Sequence, residues 1–238
     1  MTRANEYTIE SRVRFSEIDH SKRMTLPAII NYFQDCSIFH SESIGHGLEY
    51  LGRINRAWVL SAWQIVIGRY PGLGEEISVS TWASGFKGIC GDRNFCMKDR
   101  QGKVTAYANS LWVYMDTGRG RPAKPDAKEV EAYGVSEPLA METASRKIAL
   151  PKQMTETAPF QVRRYHIDTN EHVNNCQYIQ MAQEIYDGEE PVRQVRAEYK
   201  KSAVYKDIIV PRAGREAERG VVELCNTEGQ AFAVVEFR

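Results

Sequence analysis

The sequence predicts an α+β fold built from two tandem units. Each unit is a curved antiparallel sheet with one long helix on one face, and the two sheets join edge to edge into one. Three observations predict it. The two halves of the chain repeat each other. Each half carries one helical apolar stripe followed by about four strand-like runs. Those runs follow one another without intervening helices, which excludes the βαβ alternation of a parallel sheet.

The repeat is read first. "VRFSEID" at 13–19 lies on "VRRYHID" at 162–168, where Val13, Arg14, Ile18 and Asp19 match Val162, Arg163, Ile167 and Asp168. The register continues without a gap, setting Met24 on Val173, Ile30 on Ile179 and Asp35 on Glu184. Between the copies, Pro122, Pro125, Pro138, Pro151 and Pro159 crowd a stretch that opens "RGRPAKPDAK". This composition predicts a linker of little regular structure. The expected boundaries are a first unit at 1–118, a linker at 119–160 and a second unit at 161–238.

Within the first unit, Thr25 caps a predicted helix with Pro27 in its first turn, and Leu26, Ile29, Ile30, Phe33 and Ser37 hold helical spacing. "WVLSAWQIVI", "EISVSTWA", "CGDRNFCMKD" and "VTAYANSLWVYM" then read as strands. In the second unit Asn174 caps, Tyr178, Ile179, Ala182 and Ile185 form the stripe, and Gly188 is the expected stop. "PVRQVRAEYKK", "DIIVPR", "GVVELCN" and "AFAVVEFR" follow as strands. Glycine turns at Asp99-Arg100-Gln101-Gly102 and Thr227-Glu228-Gly229 separate several of them. Joining two such sheets removes an exposed edge from each.

Composition narrows the class. The formal net charge of zero gives no bulk attraction to a polyanion, and "RGRPAK" is too short and isolated to argue for nucleic acid. The opening "MTRANEYTIESRVRF" has no apolar h-region, so no signal peptide is expected, and no apolar run reaches membrane-spanning length. Five scattered cysteines without Cys-x-x-Cys spacing read as reduced thiols of a cytoplasmic protein, with no structural zinc.

One stretch concentrates chemistry. "HIDTNEHVNNCQYIQ" at 166–180 packs Asp168, Asn170 and His172 into five residues directly before a helix. Such a stretch can be ordinary turn and cap chemistry. The repeat separates the readings: the equivalent first-unit residues are Asp19, Ser21 and Arg23, so the aspartate is kept while the amide and imidazole are not. One active site, in the second unit, is expected.

Strand, loop, central helix and curved antiparallel sheet resemble the hotdog fold. Two tandem copies, with Asp168-Thr169-Asn170-Glu171-His172-Val173-Asn174-Asn175 and then Tyr178-Ile179 in the second, resemble the acyl-acyl-carrier-protein (acyl-ACP) thioesterases. "VRFSEIDHSKRMTLPAIINYFQDCS" resembles the start of that family's first domain, so the likeness spans nearly the whole chain. There is one departure. Plant members carry "E-Y-R-R-E-C" where this chain has Glu198-Tyr199-Lys200-Lys201-Ser202-Ala203. A cysteine nucleophile at 203 is thereby excluded and a carboxylate base at 202 is missing, which leaves Ser202 as a group that could hold a water.

The resemblance implies hydrolysis of a fatty acyl thioester to free acid and holo-carrier. That reaction needs a placed water, a base and donors for an oxyanion. An imidazole, with a reference pKa of about 6.5, suits His172 to the base role. Asn170 cannot be a base, but it can orient water or the carbonyl. Asp168 could orient the imidazole, or be the base itself if desolvated. The first amides of the following helix suit an oxyanion. No metal or other cofactor is implied. His20, His40 and His46 are expected in core or capping roles, and His166 is expected to face away from the site.

By the same resemblance the first unit would form the acyl-chain pocket. It holds Trp58, Trp63, Trp82 and Trp112, with Ile29, Ile30 and Phe33 on its helix, although core packing is the default reading for these residues. The acidic acyl carrier protein partner would meet a local basic patch. Arg163, Arg164, Arg193, Arg196, Lys200 and Lys201 are one candidate group, and Arg119, Arg121 and Lys124 another. An acyl-CoA thioesterase uses the same chemistry. A hotdog enoyl-thioester hydratase or dehydratase resembles D-x-N-x-x-H, one residue longer between Asn and His than this motif. A non-catalytic acyl sensor would need an attached module for which no spare segment is found. Monomer and homodimer are both compatible with the sequence.

Overall fold

The computed structural model describes residues 5–188 and 191–238. It separates into two units, one running to Ser61 and resuming over Ile65–Thr143, the other comprising Ala62–Gln64 and Ala144–Arg238.

In unit 1 the elements run β1 (Tyr7–Arg12), α1 (Leu26–Ser43), α2 (Leu48–Arg53), β2 (Arg56–Ile67), β3 (Glu76–Lys87), β4 (Cys90–Asp99), β5 (Val104–Asp116), a two-residue β6 (Arg121–Pro122) and α3 (Ala127–Tyr133). The sheet order is β1-β3-β4-β5-β2, and pairs such as Ile9 with Val79 and Phe95 with Ala108 are antiparallel. The Thr25 side chain accepts from the Ala28 amide at 3.2 Å, while Pro27 lacks the amide that would otherwise want a partner there. All five residues of the predicted stripe are buried. Phe33 meets Phe95 of β4 with ring centroids 5.2 Å apart. Burying one such side chain is worth about 1.5–3 kcal/mol, so this layer between helix and sheet is what holds α1 in place. Gly102, at φ 79°, closes the β4–β5 turn by donating to the Asp99 carbonyl at 2.8 Å.

In unit 2 the elements are β7 (Thr155–Glu156), β8 (Phe160–Gln161), α4 (Asn175–Ile185), β9 (Gln194–Tyr199), β10 (Ile208–Glu216), β11 (Arg219–Cys225) and β12 (Ala231–Phe237). The order is β9-β12-β11-β10-β7, again antiparallel, with Val235 opposite Ala197 and Val222. Cys176, Tyr178, Ile179, Met181 and Ala182 of α4 are buried.

Two expectations are corrected. Gly188 does not stop α4: the helix ends at Ile185, and Tyr186 is already extended at φ −70°, ψ 119°. The reason is packing. The Tyr186 ring stacks on Phe237 at 4.7 Å and lies where a Cβ on Gly220 would come within 2.3 Å of it, so only glycine fits opposite. The stretch 119–160 carries β6, the seven-residue α3, β7 and the first residue of β8, and the division between units falls inside it. Arg196 does not belong to a basic surface. It is buried in β9, where Nη1 meets Glu236 at 3.1 Å and Nη2 donates to the Ser145 carbonyl.

Candidate active site

The loop joining β8 to α4 opens with a 3₁₀ turn, Arg164–His166. His166 is buried, and its Nδ1 accepts from the Arg163 amide at 3.0 Å. That nitrogen therefore carries no proton. Burial, and then the nearby Arg163 charge, hold the imidazole below its ordinary pKa. His166 thus shapes the loop.

Asp168 closes a tight turn. Its Oδ1 accepts from the Asn170 amide at 2.8 Å and the His172 amide at 3.4 Å. Its own amide donates to the His172 carbonyl at 2.8 Å, and its carbonyl takes the Glu171 amide at 3.1 Å. The turn forces Glu171 to φ 62°, a left-handed conformation that costs a non-glycine residue about 1–2 kcal/mol. The carboxylate is thus engaged with backbone; it makes no hydrogen bond to the His172 imidazole. The side chains of Asn170 and His172 both stand exposed on the turn it fixes.

The turn is anchored on its far side. The Val173 amide donates to the Ala203 carbonyl at 2.9 Å, and His172 pairs antiparallel with Val204. The Ala203 amide donates to the Tyr178 hydroxyl at 2.7 Å. Exposed Ser202 is thereby carried into the segment alongside His172. At the start of α4, the Asn174 side chain accepts from Cys176 and its carbonyl from Gln177, each at 2.9 Å. The Asn175 amide is the first-turn donor with no acceptor among the described residues. Burial pushes the Cys176 thiol up to about 12, so it stays protonated and is no nucleophile. Tyr178 was legible only as part of an apolar stripe. The one clue to its anchoring role was a hydroxyl on a buried helix face, which needs a partner.

Unit 1 repeats this construction. Asp19 Oδ1 accepts from the Ser21 amide at 2.8 Å, the Ser21 hydroxyl at 2.6 Å and the Arg23 amide at 3.3 Å. The Ser21 hydroxyl is the main reason that this carboxyl sits below its usual range. Lys22 takes φ 61°, the Asp19 amide donates to the Arg23 carbonyl, and Arg23 pairs with Gly72. The exposed groups differ, and buried Ile29 stands where unit 2 has the anchoring Tyr178.

Beside the unit 2 turn lies a basic and aromatic surface. The Arg164 guanidinium sits 4.6 Å from the Tyr205 ring centroid, with Lys206 Nζ at 5.5 Å on the same ring. Arg163, Tyr165, Lys200 and Lys201 are exposed. Tyr205 and Lys206 join Arg163, Arg164, Lys200 and Lys201 of the group that sequence had assembled with Arg193 and Arg196, of which Arg196 is buried.

Two tandem hotdog units, the second bearing the Asp-x-Asn-x-His turn, define a double-hotdog thioesterase fold. The family model described as acyl-ACP thioesterase N-terminal domain matches residues 4–132, and the acyl-ACP thioesterase C-terminal domain matches 150–221. The chain belongs to the acyl-ACP thioesterase family. Palmitoyl-acyl carrier protein thioesterase of Cuphea hookeriana is 30% identical over 184 residues, 70% of this chain and 43% of that protein. Oleoyl-acyl carrier protein thioesterase 1 of Arabidopsis thaliana is 28% identical over 219 residues, 83% of this chain and 60% of that one. The chain thus spans about half the length of these relatives. An acyl-ACP thioesterase from Bacteroides thetaiotaomicron superposes with a TM-score of 0.88 at 25% identity, covering 98% of this chain and 97% of the other. The 12:0-ACP thioesterase from Umbellularia californica shares the fold, with a TM-score of 0.85 at 18% identity, covering 100% of this chain and 98% of the other.

Proposed function

We propose that this chain hydrolyses fatty acyl-ACP thioesters to free fatty acid and holo-carrier. The observation that carries the reading is the turn at 168–172, where one carboxylate fixes the backbone that bears the exposed Asn170 and His172, in the unit matched by the C-terminal domain model. His172 takes a proton from water as the water oxygen attacks the thioester carbonyl. The C–S bond then breaks, and the proton passes to the leaving thiolate. Asn170 donates its amide hydrogens to the water or the carbonyl oxygen, and the open Asn175 amide supports the oxyanion. Asp168 acts as a positioning residue through the backbone.

The carrier docks on the face formed by Arg163, Arg164, Lys200, Lys201 and Lys206, whose charge complements an acidic partner. The compartment is the cytoplasm. All five cysteines are free thiols; among the described residues no helix is long and apolar enough to cross a membrane.

Thiol release from acyl-ACP tests the reading. His172→Ala and Asn170→Ala are each expected to lower kcat by roughly 10²-fold or more, the usual worth of a positioned acid–base group. Wild-type rates in both variants would remove the assignment. Arg163→Glu with Arg164→Glu is expected to raise KM for acyl-ACP and leave acyl-CoA turnover unchanged. An equal effect on both substrates would remove the docking face.

A further inference from the structure

Arg93 lies in β4 on the sheet face that packs against α1, with 8% of its surface accessible. A guanidinium cannot shed its charge, so burial must be compensated by partners. The other buried arginine, Arg196, and the half-buried Arg69 both have carboxylates. Arg196 has Glu236, and Arg69 has Glu75 and Asp99. Arg93 has none among the described residues. Its Nη1 donates to His40 Nδ1 at 2.9 Å and to Thr81 Oγ1 at 3.2 Å. The Thr81 hydroxyl gives its own proton to the Asn94 carbonyl at 3.0 Å, so it can only accept from the arginine. His40 accepts at Nδ1 and is neutral, because burial and then the Arg93 charge lower its pKa to about 4. The Tyr133 ring lies 5.3 Å away, and burial pushes the Cys36 thiol up to about 12, leaving it protonated. Buried Glu129 is occupied by His46 at 2.6 Å and Trp58 at 2.8 Å. Asp92 is next on the strand and so points to the opposite face; burial is the only influence on its carboxyl.

Two of five donors are used. Nε–H and both Nη2–H meet no acceptor among the described residues. These are the two nitrogens of the side-on edge, the edge that grips a planar carboxylate through two parallel hydrogen bonds. A single cation without a lysine or a second arginine matches one negative charge rather than a phosphate dianion. Tyr133, Trp58 and Phe86 form an aromatic group with ring centroids about 6 Å apart, which suits an apolar tail.

We infer that the interior of unit 1 contains a carboxylate-binding site built on Arg93, which takes the carboxylate of a free monocarboxylic acid with an apolar tail. The site stands without the hydrolase reading. Joined to it, the ligand is of the same chemical class as the acid that the reaction releases.

Binding to the full chain is read by tryptophan fluorescence with dodecanoate and dodecanol. The wild type is expected to bind the acid at least about ten-fold more tightly than the alcohol, the scale of a hydrogen bond to a charged group. Arg93→Met is expected to lose that preference and Arg93→Lys to keep part of it. Equal affinities in the wild type, or a full preference surviving in Arg93→Met, overturn the site. Should Arg93→Met not fold, [1-13C]dodecanoate bound to the wild type decides: its carboxyl is expected to stay ionised below the pH at which the free acid titrates. Titration at or above the free-acid value overturns the site. Neither readout involves turnover, and His172→Ala protein is expected to bind the acid as the wild type does. A failed hydrolase reading therefore leaves this result standing, and the reverse holds too.

Discussion

Asp19 and Asp168 are the same residue in two copies of one turn, and both spend a carboxylate oxygen on backbone amides two and four positions ahead. Removing either should cost about 1–2 kcal/mol, as for hydrogen bonds to a charged acceptor at a partly exposed site. The two variants should part in activity. Asp168→Ala releases the backbone that carries Asn170 and His172, so kcat falls together with stability. Asp19→Ala lowers stability alone. Urea unfolding and thiol release on both variants check this, and an activity loss in Asp19→Ala equal to that in Asp168→Ala would count against the division of labour. The sequence showed which residues to compare, because the repeat aligned them without a gap. It did not show what the carboxylate bonds to. An aspartate two residues before an amide and four before an imidazole fits a backbone clamp and a side-chain orienter equally, and only coordinates separate the two.

Elements were legible where a period or a cap runs long enough to leave a pattern. "CGDRNFCMKD" is β4 from end to end, because its alternation is bounded by a turn at each side. Thr25 and Asn174 cap the two long helices as their side chains suggest. Replacing either by Ala should cost about 1 kcal/mol in chemical denaturation. The short helices α2 and α3 were not foreseen: with six and seven residues they complete fewer than two turns, too few for a period. The two-residue strands β6, β7 and β8 exist only through their partners across the sheet, which local sequence does not name. The end of α4 went to tertiary packing rather than to the glycine. Gly220→Ala should therefore destabilise unit 2 by about 1–3 kcal/mol, and Tyr186→Ala should remove most of that penalty. Additive losses in the double variant would show that the ring and the glycine do not oppose each other.

For the whole molecule, the buried histidine of α1 sets an acid limit. Burial, and then Arg93, bring His40 from 6.5 to about 4 in the folded chain. A depressed value means that the unfolded chain binds this proton more readily. The stability from neutral His40 is complete above about pH 6.5 and is lost as pH falls toward 4. The loss at the acid end is roughly 3 kcal/mol. His40→Gln keeps an acceptor for Arg93 without the titration, and thermal unfolding followed from pH 7 to pH 4 should flatten in that variant. A slope unchanged from the wild type would assign the acid limit to other groups. Duplication has a further result at this scale. The first copy of the turn keeps its clamp, its left-handed residue and its helix cap, yet bears exposed Ser21 and Arg23 in place of the amide and the imidazole. It is a furnished mounting without an instrument. Fitting Asn at 21 and His at 23 asks for two surface replacements and no new backbone, so an engineer could seat a transplanted reaction centre there while the core folds as before.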